Sequence, residues 1–224
     1  EMQGNIRLEK GMPSSLWIAM GMQEGDREAG WWNDYSEDTY MVALEQSEVH
    51  ASELADKTAK NSIRNSIRVF REDPRYALDF YKRKVFSQWN EPSYECYFYT
   101  NTRSEERGAL GDDLYKGERR IVTDKFINVY QSLIYLGVFL FLGSGLFQKR
   151  RITQYTIFVV ILGGFLFHIL WEAKSRYILP YFIMMIPMAA VGLQSCYSGM
   201  EMKLHRRREK KDEQKALDAG NAVL

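Results

Sequence analysis

The residues with the most chemistry in this chain fall within one short segment. It reads His168-Ile-Leu-Trp-Glu172-Ala-Lys174-Ser-Arg176-Tyr177-Ile-Leu-Pro180. A carboxylate, an ammonium, a guanidinium, a phenol and an imidazole stand within ten residues of one another. Glu172 and Arg176 are four apart, so a helical turn would pair them. Lys174 would then point away from that pair, free to meet something else. An arginine fork with a nearby cation can hold a phosphate or pyrophosphate. The alternative is that these charges only flank a tight turn, with His168 hydrogen-bonded to a neighbouring helix.

Uncharged stretches on both sides say what must position this segment. Phe126–Phe147, Gln154–Trp171 and Tyr177–Met200 hold 22, 18 and 24 residues without a charge. A bilayer core of about 30 Å needs about 20 apolar residues in a helix. Three such runs in series predict an all-α membrane protein with three transmembrane helices. His168 then lies about one turn into the second span, where an ionisable side chain suggests function. Glu172–Arg176 becomes the hairpin between spans two and three.

The whole-chain average hides this. The chain has 224 residues, 46% apolar and 26% charged, with a formal net charge of +1. Its mean hydropathy is −0.37, which would suit a soluble protein. The charge is segregated, however: residues 1–125 carry 18 basic and 23 acidic side chains, the remainder 12 and 6. Composition excludes low complexity, collagen and coiled coil. Two cysteines exclude a disulfide-stapled scaffold. The chain opens on Glu1 with no basic n-region or short apolar run behind it. No signal peptide is expected, and the chain reads as the C-terminal piece of something longer or as a trimmed one.

Basic flanks predict the orientation. Lys149, Arg150 and Arg151 fill the loop between spans one and two, and Arg206, Arg207, Arg208, Lys210 and Lys211 follow span three. Positive charge in short flanks marks the cytoplasmic side. The expected organisation is an extracytoplasmic helical segment over 1–121, three spans over 122–200 with an outer hairpin 172–176, and a basic cytoplasmic tail over 201–224. That tail lacks an apolar period and is read as solvated or disordered, not as a nucleic-acid patch. Cys96 and Cys196 are expected too far apart for a disulfide.

Local signals divide the outer segment. Pro13-Ser14-Ser15 before LWIAMGMQ predicts a capped short helix with Trp17 and Met20 on its apolar side. Gly30–Asp34 reads as a turn. A long helix is expected from about Ser36 to Arg71, ending before Pro74. Its NSIRNSIR repeat puts Ile63, Ile67 and Phe70 on one face and Arg64, Arg68, Arg71 and Arg75 on another. That basic stripe could meet headgroups or an anionic ligand, or be a wet face paired with Glu48, Glu53 and Asp56. A second helix, roughly Pro74–Gln88, carries Tyr76, Phe80 and Phe86, with Trp89 directly after it, and stops at Asn90-Glu91-Pro92. Residues 92–120 show no clear period and are expected to be irregular. Trp17, Trp31, Trp32 and Trp89 could stack on sugar rings or anchor the segment at a bilayer interface.

The string HILWEAKSRYILPYFIMMIPMAAVGL resembles the last hairpin of bacterial GT-C type membrane glycosyltransferases, the group that includes protein O-mannosyltransferases and the aminoarabinose transferases of lipid A. SSLWIAMGMQEG, GWWNDY and KVFSQWNEPSYE are similar to its extracytoplasmic segment, so the resemblance spans most of residues 13–195. It implies transfer of a hexosyl or pentosyl group from a polyprenyl-phosphate carrier at the outer membrane face, in the bacterial cell envelope. Lys174, Arg176 and Tyr177 would meet the carrier phosphate, Glu172 would orient Arg176, and His168 would stand behind them. The family's acidic catalytic residues, and any divalent metal, belong to a first outer loop that would lie in a missing N-terminal transmembrane portion. The implied partners are therefore a polyprenyl-phosphate sugar, membrane lipid and that portion, without nucleic acid. Residues 1–224 alone would have no catalytic residue, no cofactor and no transferase activity. Asp34, Glu37, Asp38, Asp112 and Asp113 read as solvated or capping carboxylates. The three histidines, His50, His168 and His205, fall on different sides of the membrane and suggest no metal site. The other readings are a non-enzymatic membrane anchor whose outer helical domain binds a partner or the cell wall, and a channel or transporter subunit.

Overall fold

Ala51, Ala55 and Ala59 recur every four residues and form one small-residue face of a helix, which sets the packing of the first half of the chain. The computed structural model describes residues 11–103, 108–147 and 152–221. Nine α-helices are present among them: α1 (Ser15–Met20), α2 (Tyr35–Gln46), α3 (Ala51–Glu72), α4 (Pro74–Trp89), α5 (Cys96–Arg103), α6 (Ala109–Lys116), α7 (Glu118–Phe147), α8 (Thr156–Leu170) and α9 (Leu179–Asn221). Extended pairing among the described residues is limited to isolated bridges. Three stretches are long and apolar enough to cross a bilayer: Glu118–Gly145, Ile152–Leu170 and Ser175–Lys211. The chain is an all-α membrane protein.

Two compact units divide the chain. The first runs to Arg120 and also takes in Val160–Leu179; the second joins Ile121–Val159 to the chain from Pro180 onward. The hairpin after α8 therefore packs with the N-terminal helices.

In the first unit the alanine face of α3 is fully buried against Leu16, Ala19 and Ala43 from α1 and α2. The helix expected over 36–71 is broken in two. Ser47 turns extended (φ −168°, ψ 113°), so that α2 folds back and Ala43 meets the same core as Ala51 and Ala55. No glycine or proline announces this break; burial of the alanines does. The serine before α1 also differs from expectation. Ser14 makes no side-chain cap, whereas Ser15 Oγ donates to Asp56 Oδ1 at 2.6 Å and tethers α1 to α3. At Pro74 the expectation holds: Asp73 caps α4 by accepting from the backbone N–H groups of Arg75 and Tyr76 at 3.1 and 3.0 Å. Phe70, Phe80 and Tyr81 form an aromatic cluster across the α3–α4 corner, with centroids 5.1–5.4 Å apart. Within 92–120, residues 104–107 lie outside the described residues, and the rest are largely helical: they hold α5, α6 and the start of α7. Their eight-residue helices are too short to show a period, and they are tied by the Tyr97–Tyr115 edge contact at 5.7 Å and by Arg120 lying 3.5 Å over Tyr97.

The basic stripe of α3 is exposed, but not paired with the carboxylates suggested for it. Arg64 and Arg68 donate to Asn61 and Asn65 one turn back, at 2.8 and 2.7 Å. Asp56 pairs with Lys60 and Glu53 lies beside His50.

In the second unit α7 and α9 approach at glycines. A Cβ on Gly192 would lie 2.0 Å from Gly137 O, and one on Gly137 would lie 2.6 Å from the Ala189 side chain. Small residues let backbones close in this way where lipid supplies no hydrophobic drive. Of the two readings of the tail, solvated or disordered, the structure favours the first: α9 continues to Asn221 and its described side chains beyond Met200 are exposed. Its Glu-, Lys- and Ala-rich sequence has high helix propensity, and Glu201–Lys211 is exposed. Lys149, Arg150 and Arg151, expected on the same side of the membrane as this tail, lie outside the described residues.

Candidate functional site

The site is built on one backbone contact. Ala173 N donates to Gly30 O at 2.7 Å, making an isolated parallel bridge between Trp31 and Ala173. This pulls residues 172–174 into extended conformation, with Lys174 at φ −149°, ψ 130°. The chain becomes helical only at a 3-10 turn, Ser175–Ile178. Glu172 and Arg176 are therefore not on one helical face, and the expected pair between them does not form. Glu172 Oε1 instead accepts from Tyr177 OH at 2.5 Å and lies 3.6 Å from Lys174 Nζ. Lys174, expected to be free, is Glu172's ion partner. Arg176 rests on aromatic faces, 4.8 Å over Tyr99 and 5.5 Å over Tyr177, without a carboxylate partner among the described residues.

Gly30 makes the contact possible. It has φ +71°, donates to Gln23 O at 2.7 Å, and faces the Lys84 side chain so closely that a Cβ would lie 2.7 Å from its Cδ. Lys84 is wholly buried. Its Nζ donates to Gly21 O at 2.5 Å and Ile169 O at 3.0 Å, and so ties the C-terminal ends of α1 and α8 to α4. Burial lowers its pKa to about 7, opposed by Glu172. Trp31, also buried, donates Nε1–H to Ser87 Oγ at 2.7 Å. Ser175 Oγ donates to Glu91 Oε2 at 2.7 Å, and Gln88 Nε2 to Lys174 O at 3.4 Å. The hairpin is thus anchored on α4 and on the turn that follows it.

Next to this scaffold lies a cavity of about 580 Å³, lined by Asp26, Arg27, Trp31, Trp32, Glu37, Glu95, Phe98, Tyr99, Lys174 and Arg176. Its loop wall is held by Arg83, which bonds Glu24 at 2.6 Å, Asp79 at 2.9 Å and Glu28 at 3.3 Å; the Glu24 carboxyl is correspondingly held below its usual range, chiefly by Arg83. Arg27 bonds Glu95 Oε1 at 3.0 Å and lies 3.8 Å over Phe98. Lys174 Nζ lies 5.6 Å from the Trp32 ring. Burial raises the Glu95 pKa, and Arg27, Arg176 and Lys174 pull the other way. Arg27 is matched by Glu95 and Lys174 by Glu172; Asp26 and Glu37 also line the cavity, and Arg176, with no carboxylate at ion-pair distance among the described residues, bonds Tyr177 and feels the Glu95 charge. Six charged side chains and four aromatic ones thus line the cavity.

Of the five residues singled out from sequence, Lys174 and Arg176 line the cavity. Glu172, Tyr177 and His168 stand behind them in series: buried His168 stacks on Tyr177 at 5.8 Å and 17°, and Tyr177 holds Glu172. Of the four tryptophans singled out from sequence, Trp31 and Trp32 reach the cavity, and Trp89 packs on Phe165 at 5.3 Å. Glu37, read as a solvated or capping carboxylate, is exposed in the first turn of α2 and also reaches the cavity wall. Arg27, Glu95, Phe98 and Tyr99 were not singled out. A usable signal was the run Tyr94-Glu-Cys-Tyr-Phe-Tyr99, a carboxylate embedded in aromatics. Among the described residues no His, Cys, Asp and Glu side chains converge as a metal site. No family model, curated protein or solved structure matches this chain.

Proposed function

We propose that this chain is the C-terminal part of an integral-membrane glycosyltransferase that draws its sugar from a polyprenyl-phosphate carrier at the extracytoplasmic face. The observation that carries this is the cavity at the membrane hairpin, where Arg176, unpaired with any carboxylate among the described residues, and Lys174 share a wall with Trp31, Trp32, Phe98 and Tyr99. A phosphodiester supplies the anion that Arg176 lacks, and a pyranose ring offers C–H faces to the aromatic walls. The acidic residues of the transfer step are assigned to another part of the protein; this chain's share is to hold the donor.

The orientation follows from charge. Arg206, Arg207, Arg208, Lys210 and Lys211 form an exposed basic end of α9, which belongs on the cytoplasmic side. The hairpin and residues 11–120 then face outward, in the bacterial cell envelope. A charge-assisted contact to phosphate is worth roughly 1.5–3 kcal/mol, about tenfold to a hundredfold in affinity. In the full-length transferase, Arg176→Ala should raise donor KM by at least about tenfold, and Arg176→Lys should recover only part, because a point charge does not replace the fork. An unchanged KM in a monodisperse Arg176→Ala protein would defeat this assignment.

A further inference from the structure

We propose that Glu95 is the residue that reads the sugar of the donor, its carboxylate accepting hydrogen bonds from glycosyl hydroxyls while Arg176 and Lys174 take the phosphate. This rests on the proposed donor site and adds to it the selection of a hydroxyl-bearing ring over any other group on the same phosphate.

Four observations meet at this side chain. Tyr94 and Glu95 are the two non-glycine residues with positive φ among the described residues, at 49° and 60°. Side chains rarely adopt that conformation in succession, and such strain gathers at ligand sites. The turn is held by a second carboxylate: Glu91 Oε2 accepts from Glu95 N at 2.8 Å and from Ser175 Oγ at 2.7 Å, and Glu91 Oε1 accepts from Ser93 N at 3.0 Å and from Ser93 Oγ. The same clamp therefore fixes Glu95 and the hairpin carrying Lys174 and Arg176. The Glu95 side chain is only 4% exposed and gives one oxygen to Arg27. Its other oxygen, Oε2, is buried with no hydrogen-bond partner among the described residues. Finally, Glu95 lines the cavity among Trp31, Trp32, Phe98 and Tyr99.

A carboxylate accepts several hydrogen bonds, and one left with an unused buried oxygen in a ligand cavity lacks a donor. The phosphate cannot supply it, since both groups are anionic. Sugar hydroxyls can. A site built to bond a hydroxyl also rejects analogues without one far better than a site that only matches shape.

The test uses the purified full-length protein in detergent and two probes of equal charge. One is a short isoprenyl phosphate esterified to methyl; the other is the same isoprenyl phosphate carrying glucose, mannose or galactose. The native protein should bind its best glycosyl probe at least ~10-fold tighter than the methyl ester, the scale of hydrogen bonds to a charged group. Glu95→Gln should cut that preference to below about threefold without weakening the methyl ester, because it removes an anion near the phosphate. Glu95→Asp keeps the charge but withdraws the carboxylate by one methylene, ~1.5 Å, and should lose the preference likewise. A preference kept in both variants, or both probes weakened equally, would overturn the role of Glu95. Loss of monodispersity in both variants would assign Glu95 to the scaffold and overturn it as well. Native protein that binds both probes alike would sink the sugar reading and leave the phosphate site standing. Native protein that binds neither would sink the donor site itself.

Discussion

Tyr177 donates its hydroxyl to Glu172 Oε1 at 2.5 Å, and this contact takes the place of the Glu172–Arg176 pair that their spacing suggests. The bond holds the carboxylate near Lys174 and leaves the Arg176 guanidinium over Tyr99. The hairpin thereby separates its two cations. Both line the cavity, Lys174 matched by Glu172 and Arg176 on aromatic support.

Tyr177→Phe tests that arrangement. It removes the donor from a buried carboxylate, which costs about 1–3 kcal/mol. The thermal midpoint in detergent should fall, and donor KM should rise a few-fold as Glu172 and Lys174 shift. A midpoint and KM both at native values would show that the hydroxyl does not hold Glu172.

Lys84 predicts an alkaline gain in stability. Its folded pKa, about 7, lies below the ordinary 10.5, so between these values the unfolded state binds more protons. Stability should therefore rise with pH across that window, by up to ~1.4 kcal/mol per unit, and be lost as pH falls through 7. Midpoints recorded from pH 6 to 10 should climb in the native protein and flatten in Lys84→Met. Equal slopes for the two proteins would remove Lys84 as the cause.

Gly30→Ala should damage the site from behind. The methyl would meet Gly21 O and the Lys84 side chain at about 2.7 Å, on a backbone at φ +71°. A cost of about 1–3 kcal/mol is expected from the backbone alone, and Ala173 would lose its bridge to Gly30 O. The expected result is a lower midpoint with weakened donor binding. Native behaviour would mean that the loop relaxes freely and that the bridge does not set the hairpin.

Orientation is open to thiol chemistry, since Cys96 is exposed. A membrane-impermeant maleimide added to intact cells should label Cys96, and Cys96→Ser should abolish the signal. A cysteine at exposed Lys203, in a Cys96→Ser background, should react only after permeabilisation. The reverse pattern would invert the proposed topology.

The membrane class and the three spans were legible because an uncharged run of about 20 residues has few other uses. Lys174 and Arg176 were legible as cations at a membrane hairpin. Their partners were not, because the choice between helix and extended chain at 172–174 is made by Gly30, more than 140 residues away in sequence. The break at Ser47–His50 was hidden for a similar reason: it serves a tertiary alanine core, not a local breaker. Glu95 escaped notice because its value lies in a positive-φ turn held by Glu91, which no residue type at 94 or 95 advertises. Lys84 looked like one of three successive basic residues on α4, and only its burial sets it apart.

The most direct measurement is the affinity of the purified full-length protein for an isoprenyl phosphate, compared between Arg176→Ala and Arg68→Ala. Both substitutions remove an exposed arginine from the same compact unit, but only Arg176 lines the cavity. Binding should weaken at least about tenfold in Arg176→Ala and stay within about twofold of native in Arg68→Ala. Equal affinities in the native protein and both variants would contradict a carrier-phosphate site at the hairpin.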